Sequence, residues 1–195
     1  MRTEMEQVIA CKKNLLDQLC QTDYLDMVQQ AAQVMTQCLR AGNKILLAGN
    51  GGSAADAQHF AGEIVGRFCM ERRALPAISL CVDPSVMTCI GNDYGYDMVF
   101  ERQLSGLGNA GDVFVPISTS GNSINLVHTV KTAKKMGIWT IGLLGKTGGK
   151  LKELCDYALV VPSEETPRIQ EIHTFSVHML CESIEKQIFE KSLCK

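Results

Sequence analysis

Lys44-Ile45-Leu46-Leu47-Ala48-Gly49-Asn50-Gly51-Gly52-Ser53 is the stretch on which the fold turns. Its apolar run is too short for a helix and reads as a strand buried on both faces, while the glycines that follow make a tight turn. Ser53 is placed to cap a helix running to about Arg67. The same strand, turn and helix unit recurs outward from it. Ala77 to Cys81 reads as a second strand, and Asp112 to Ile117 as a third that opens into Ser118-Thr119-Ser120-Gly121-Asn122-Ser123 and a helix over 124 to 136. Trp139 to Leu144 is the fourth strand, ending in Gly145-Lys146-Thr147-Gly148-Gly149, and Tyr157 to Val161 the fifth. Short helices are expected from Asp83-Pro84-Ser85 to Gly91, from about Tyr96 to Leu104 and over Leu151 to Leu154, and a long one from about Arg168 to Glu190. Upstream, apolar residues at helical spacing (Val8, Leu15, Leu19; then Met27, Ala31, Val34, Met35, Cys38) predict two helices between Glu4 and Leu39, broken at Thr22-Asp23. The expectation is an α/β fold: a three-layer αβα sandwich around a five-stranded, mainly parallel sheet, with an N-terminal helical extension, in a single domain over 1–195. Pro116 is awkward in the third strand because it removes a ladder hydrogen bond, and a bulge would accommodate it.

Apolar residues at 46% and charged residues at 21% place the chain among ordinary globular proteins. A net charge of −2 gives no basic face for nucleic acid or an anionic membrane, so any phosphate must be held locally. The nine cysteines are odd in number and form no CxxC pair, which argues against a disulfide framework or a thiolate zinc site. They read as small hydrophobes in a reducing compartment, Cys81 and Cys89 as packing residues among them. No window approaches the roughly 18 apolar residues of a membrane span, and the first residues carry no apolar leader, so the expected location is the cytoplasm.

Two loops at strand ends are candidates for anion binding. Gly49 to Ser53 joins a buried strand to a helix, where glycines allow close backbone approach and the helix start offers free N–H groups and a positive dipole end. Ser118 to Ser123 puts four hydroxyls at the corresponding junction, more than a helix cap requires. Neither GxxxxGK[ST] nor GxGxxG occurs, which favours a small phosphorylated ligand over ATP or NAD.

His59 and Glu63 lie four apart on the helix after the first loop, on one face, and can act as an acid/base pair or share a metal. They sit roughly 9 to 15 Å behind the loop at 1.5 Å per residue, about the length of an extended sugar phosphate. The last helix carries Gln170, Glu171, His173 and His178; spacing alone pairs Gln170 with His173, since Gln170 and His178 are about 12 Å apart along a helix axis.

Gly49 to Glu63, Gly91-Asn92-Asp93-Tyr94-Gly95, Ser118 to Ser123 and Arg168-Ile169-Gln170-Glu171-Ile172-His173, in this order, resemble the phosphoheptose isomerases of the SIS-domain family over nearly the whole chain. The resemblance implies the SIS fold and isomerisation of sedoheptulose 7-phosphate to D-glycero-D-manno-heptose 7-phosphate, the first step toward the heptose of lipopolysaccharide. It implies a homotetramer with active sites at subunit interfaces, the helices of residues 1–41 serving in oligomer packing, and one Zn2+ per subunit. Carried over by position, it implies metal ligands His59, Glu63, Gln170 and His178, the last in place of His173. The implied substrate contacts are Asn50, Gly51, Gly52, Ser53, Glu63, Asn92, Asp93, Ser118, Thr119, Ser120, Ser123 and Gln170, and the implied catalytic residues Glu63 and His178. The alternatives are isomerisation of another sugar phosphate and a non-catalytic scaffold similar to the initiator-associating factor DiaA. Such scaffolds lack equivalents of Glu63 and His178.

Overall fold

The computed structural model describes residues 1–190. In chain order the elements are α1 (Arg2–Gln21), α2 (Tyr24–Arg40), β1 (Ile45–Gly49), α3 (Gly52–Val65), β2 (Ala77–Ser79) and α4 (Pro84–Tyr94). A 3-10 turn (Tyr96–Met98) leads to α5 (Glu101–Leu107), β3 (Val113–Ser118), α6 (Ile124–Lys135), β4 (Trp139–Gly145), α7 (Gly149–Leu154), β5 (Tyr157–Val161) and α8 (Thr166–Phe189). The strands form one five-stranded sheet in the order β2-β1-β3-β4-β5, and every pairing is parallel.

Alternation along the strands builds two cores, one on each face. Ile45, Leu47, Val113, Val115, Ile117, Ile141 and Leu143 point to the layer of α1, α2, α3 and α8. Leu46, Ala48, Phe114 and Leu144 point to the other layer, where Phe100, Leu104, Leu126, Val130 and Leu151 come from α5, α6, α7 and the turn before α5. Because both faces are covered, these strands are apolar throughout rather than alternating apolar and polar.

Three local expectations change. Pro116 sits in a central strand without a bulge: β3 pairs with β4 at Phe114↔Thr140 and again at Ile117↔Leu143, the same offset, so no residue is inserted. The register lapses only at Val115 and Pro116, so the missing N–H costs one rung of the ladder while pairing with β1 continues through Ala48↔Pro116. Ser53 does not cap α3, whose N-cap is Gly51; Ser53 lies inside the first turn with its side chain buried. Residues 2–11 of α1, Val8 included, are exposed, and burial in that helix is confined to Leu15 and Leu19.

Asp83 caps α4 through the Val86 N–H at 3.0 Å, with Pro84 at the first helical position. All eight described cysteines are free thiols, and Cys194 lies outside the described residues. Only Cys38 and Cys181 are buried, however, while Cys11, Cys20, Cys69 and Cys89 are exposed, so the packing role holds for part of the set. Burial pushes the Cys38 and Cys155 thiols up to about 12, which keeps them neutral. Cys89, expected to pack, instead points its thiol at Asp93 Oδ2, 3.7 Å away. Among the described residues no helix is long and apolar enough to cross a membrane.

Candidate active site

Because β1, β3 and β4 are adjacent and parallel, the loops that follow them meet at the carboxyl end of the sheet. Asn50 and Asn125 exchange amide hydrogen bonds, Asn50 Nδ2 donating to Asn125 Oδ1 at 3.1 Å and Asn125 Nδ2 to Asn50 Oδ1 at 3.0 Å. This pair fastens the first loop to the start of α6. The serine loop is tied by its own hydroxyls: Ser118 Oγ accepts the Gly121 N–H at 3.1 Å and lies 3.2 Å from Ser123 Oγ, while Ser120 Oγ accepts the Asn122 N–H at 3.2 Å. Ser123 stands at the N-cap of α6 without a side-chain cap bond.

Gly121 is where this loop tolerates no side chain. Its φ of 65° is left-handed, and a Cβ there would run into the Gly148 carbonyl of the turn after β4. Gly121→Ala is expected to lower stability by about 1–3 kcal/mol and to weaken inorganic phosphate binding, as read by thermal unfolding and by calorimetry. An unchanged phosphate affinity would separate the loop from the anion site. Gly52 is open for a different reason: the Gln170 amide at the start of α8 packs against it, so a side chain there would displace Gln170.

Further along the same two helices, His59 and His178 meet edge to face, ring centroids 5.2 Å apart, with their Nε2 atoms at 2.9 Å. One nitrogen must therefore donate and the other accept, so the two tautomers are complementary. Phe68 packs on the other side of His178, centroid to centroid 5.3 Å. Glu63 Oε1 lies 3.7 Å from His59 Nδ1, one helical turn on. His59, Glu63 and His178 thus come together on one helix pair, with Gln170 nearer the loop.

Two imidazoles and a carboxylate are a donor set that zinc takes, and the paired Nε2 atoms suit it. In this arrangement, though, Glu63 faces Nδ1 of His59 while His178 faces Nε2, so the carboxylate is not on the shared side. Among the described residues no three His, Cys, Asp or Glu side chains converge on one metal position.

His173, the partner that spacing favoured for Gln170, is instead a core histidine. It is fully buried, and its Nε2 donates to the Leu144 carbonyl at 3.0 Å. A rotation of 100° per residue puts His173 and His178 on different sides of α8, one toward the sheet and one toward α3. Burial lowers the His173 pKa from 6.5 to about 4. Above pH 6.5 the imidazole is neutral folded or unfolded, and its contribution is fully present. Between about pH 6.5 and 4 the unfolded chain takes up a proton that the folded one refuses, so stability falls with pH by up to about 3 kcal/mol. Urea unfolding across that window should show this slope, and His173→Gln should lack it; an equal slope in both removes the assignment.

Asn92 and Asp93 are exposed near the end of α4, Asn92 Nδ2 donating to Asp93 Oδ1 at 2.8 Å. The turn beyond them reaches the glycine loop through Tyr96, whose hydroxyl donates to Asn50 Oδ1 at 3.0 Å. Sequence reasoning missed Tyr96 and Asn125. The one signal was a polar residue, Asn125, set among Ile124, Leu126 and Val127. It also missed Asp56, which accepts the Thr174 hydroxyl at 3.0 Å and ties α3 to α8. Burial pushes the Asp56 carboxyl up.

The helix pair is held by a buried ion pair. Glu185 on α8 accepts Arg72 Nε at 2.8 Å and the backbone N–H groups of Phe68, Cys69 and Met70 at 2.8 to 2.9 Å. Arg72 in turn donates to the carbonyls of Glu63 and Ile64 at 2.8 Å and of Gly66 at 3.0 Å, closing the end of α3. Both side chains are 1% exposed.

The SIS domain family model matches residues 9–145, which leaves α8 outside it. A phosphoheptose isomerase of Pelobacter propionicus is 57% identical over 163 residues, covering 84% of this chain and 86% of that one. The structure of phosphoheptose isomerase GmhA from Neisseria gonorrhoeae superposes with a TM-score of 0.89 at 42% identity, over 95% of this chain and 98% of the other. A phosphoheptose isomerase from Francisella tularensis gives 0.90 at 35% identity, over 94% and 97%. With the fold, the loops and these similarities in agreement, the chain belongs to the SIS-domain family and, within it, to the phosphoheptose isomerases.

Proposed function

We propose that the protein interconverts D-sedoheptulose 7-phosphate and D-glycero-D-manno-heptose 7-phosphate as an aldose–ketose isomerase, supplying heptose for lipopolysaccharide. The observation that carries this reading is the grouping of Glu63, His59 and His178 behind the glycine and serine loops. A scaffold would give Glu63 and His178 no task. The backbone and hydroxyls of Asn50, Gly51, Gly52, Ser53, Ser118, Thr119, Ser120 and Ser123 hold the phosphate at helix starts, which suits an anion without Lys or Arg. Asp93 is acceptor-only and would repel phosphate, so with Asn92 it takes the sugar hydroxyls.

The Glu63 carboxylate removes a proton from C1 of the ketose and returns it to C2. His178 donates a proton to O2 as the enediolate forms and recovers one from O1 as the aldose carbonyl forms. The bond between His59 and His178 keeps the imidazole in the tautomer that its step requires. The zinc ligands that the resemblance implies, His59, Glu63, Gln170 and His178, do not converge as these side chains stand, so no step is assigned to a metal.

Exposed His59 and partly exposed Glu63, with Val65 and Phe175 exposed on the same helices, support active sites completed at subunit interfaces of a homotetramer. The open apolar residues Met5, Val8 and Ile9 support a packing role for the helices of residues 1–41, within one domain over 1–195. A cytoplasmic location suits a phosphorylated substrate. Incubation with sedoheptulose 7-phosphate, with and without zinc, should yield a new aldose signal by NMR. No such signal in either condition would favour the scaffold or another substrate.

A further inference from the structure

The end of α4 that carries Asn92 and Asp93 is solvent-exposed, held from the α5 side by the Arg102 guanidinium, 3.9 Å from the centre of the Tyr94 ring. Asn92 and Cys89 bond only to Asp93 within the same segment, and residues 92 to 97 are all exposed. Among the described residues the side-chain hydrogen bond joining this segment to the anion-binding loops is that of Tyr96 to Asn50. Gly95, at a φ of 85°, turns the chain so that Tyr96 reaches back over the first loop. The acceptor is itself tied down: Asn50 Oδ1 also takes the Asn125 amide, and Asn50 Nδ2 is committed to Asn125 Oδ1. Tyr96 is 57% exposed, so its hydroxyl bond competes with water and adds little to folding. A bond that contributes little to stability, yet joins this exposed segment to the paired loops, has its consequence in geometry.

We propose that Tyr96 is a positioning residue for the sugar. Through Asn50 it sets the distance between the phosphate loops and Asn92–Asp93, so that the sugar chain and the phosphate are met together. This rests on the isomerase reading above. Losing the tie lets the α4 end sample other positions, and the cost of ordering it falls on sugar binding rather than on phosphate binding.

The test is Tyr96→Phe in the full chain. It should raise KM for sedoheptulose 7-phosphate roughly five- to tenfold, the equivalent of one hydrogen bond. The value of kcat should stay within about twofold, and Tm and the inhibition constant of inorganic phosphate should not move. Inorganic phosphate probes the loops alone, so a parallel rise of its inhibition constant and KM would overturn the proposal by placing Tyr96 in the phosphate site. An unchanged KM, or a fall in Tm large enough to account for lost activity, would overturn it too. Wild-type protein without turnover strikes the isomerase reading; an active wild type beside an unaltered variant strikes only the role of Tyr96.

Discussion

Glu63→Gln is expected to lose roughly a thousandfold or more in kcat while binding sugar phosphate with little change, because a general base contributes about 10²- to 10⁴-fold and an amide cannot accept a carbon-bound proton. The substitution keeps the shape of a side chain that is 26% exposed and lies 3.7 Å from His59 Nδ1, so the helix pair should survive it. The glycine and serine loops, proposed to hold the phosphate, are fastened by Asn50, Asn125 and Ser118, none of which bonds to Glu63. Affinity measured by calorimetry with sedoheptulose 7-phosphate should therefore stay close to that of the wild type. Solvent deuterium exchange at C1 should vanish with turnover, since in the proposed mechanism the same carboxylate makes and breaks that bond. Near-normal kcat in the variant would remove Glu63 from the proton-transfer role, whatever the loops bind.

Glu185→Ala should cost about 3–5 kcal/mol, the usual result of leaving one partner of a buried ion pair alone. For a chain of this length that corresponds to a Tm lower by roughly 6–20 °C. The loss has several parts: Arg72 keeps a buried charge, and the N–H groups of Phe68, Cys69 and Met70 lose their acceptor. Replacing Arg72 and Glu185 together by Met should not restore stability, because the carbonyls of Glu63, Ile64 and Gly66 would stay unpaired beside those amides. Burial pushes the Glu185 carboxyl up, but three amides and the guanidinium outweigh it and hold the group below the ordinary carboxylate range. Its contribution is therefore complete above the unfolded carboxylate value and lost as pH falls through the lowered folded one. That window opens at the unfolded carboxylate value of 4.5, where the His173 window is ending, so the loss of stability with acid should continue below the range in which His173 acts. Recovery of full stability in the double Met variant would show that the hydrogen bonds around the pair matter less than its charge.

Much of the architecture was legible along the chain. Continuous apolar runs such as Ile45 to Ala48 identify strands covered on both faces, since a half-exposed strand would alternate. The break at Thr22-Asp23, the cap at Asp83 and the loops at strand ends are local signals, and each corresponds to an observed boundary. The pairing of His59 with Glu63 was equally local, because four residues on a helix bring two side chains to one face.

The partners across elements were not legible. Spacing favoured His173 over His178, and no periodicity distinguishes a histidine that turns toward Leu144 from one that turns toward His59; only the docking of α8 against both sheet and α3 decides that. The same holds for Glu185 and Arg72, 113 residues apart, and for Asn50 with Asn125, 75 residues apart. Pro116 shows the limit from the other side, since a residue that breaks a ladder locally is tolerated once the neighbouring strand still pairs in register. By itself the sequence determined the layers, the strands and the positions of the glycine and serine loops, which depend on near neighbours and on the period of burial. Tertiary structure alone decided which imidazole faces Glu63's helix and which carboxylate holds that helix in place, because those contacts depend on how two distant surfaces meet.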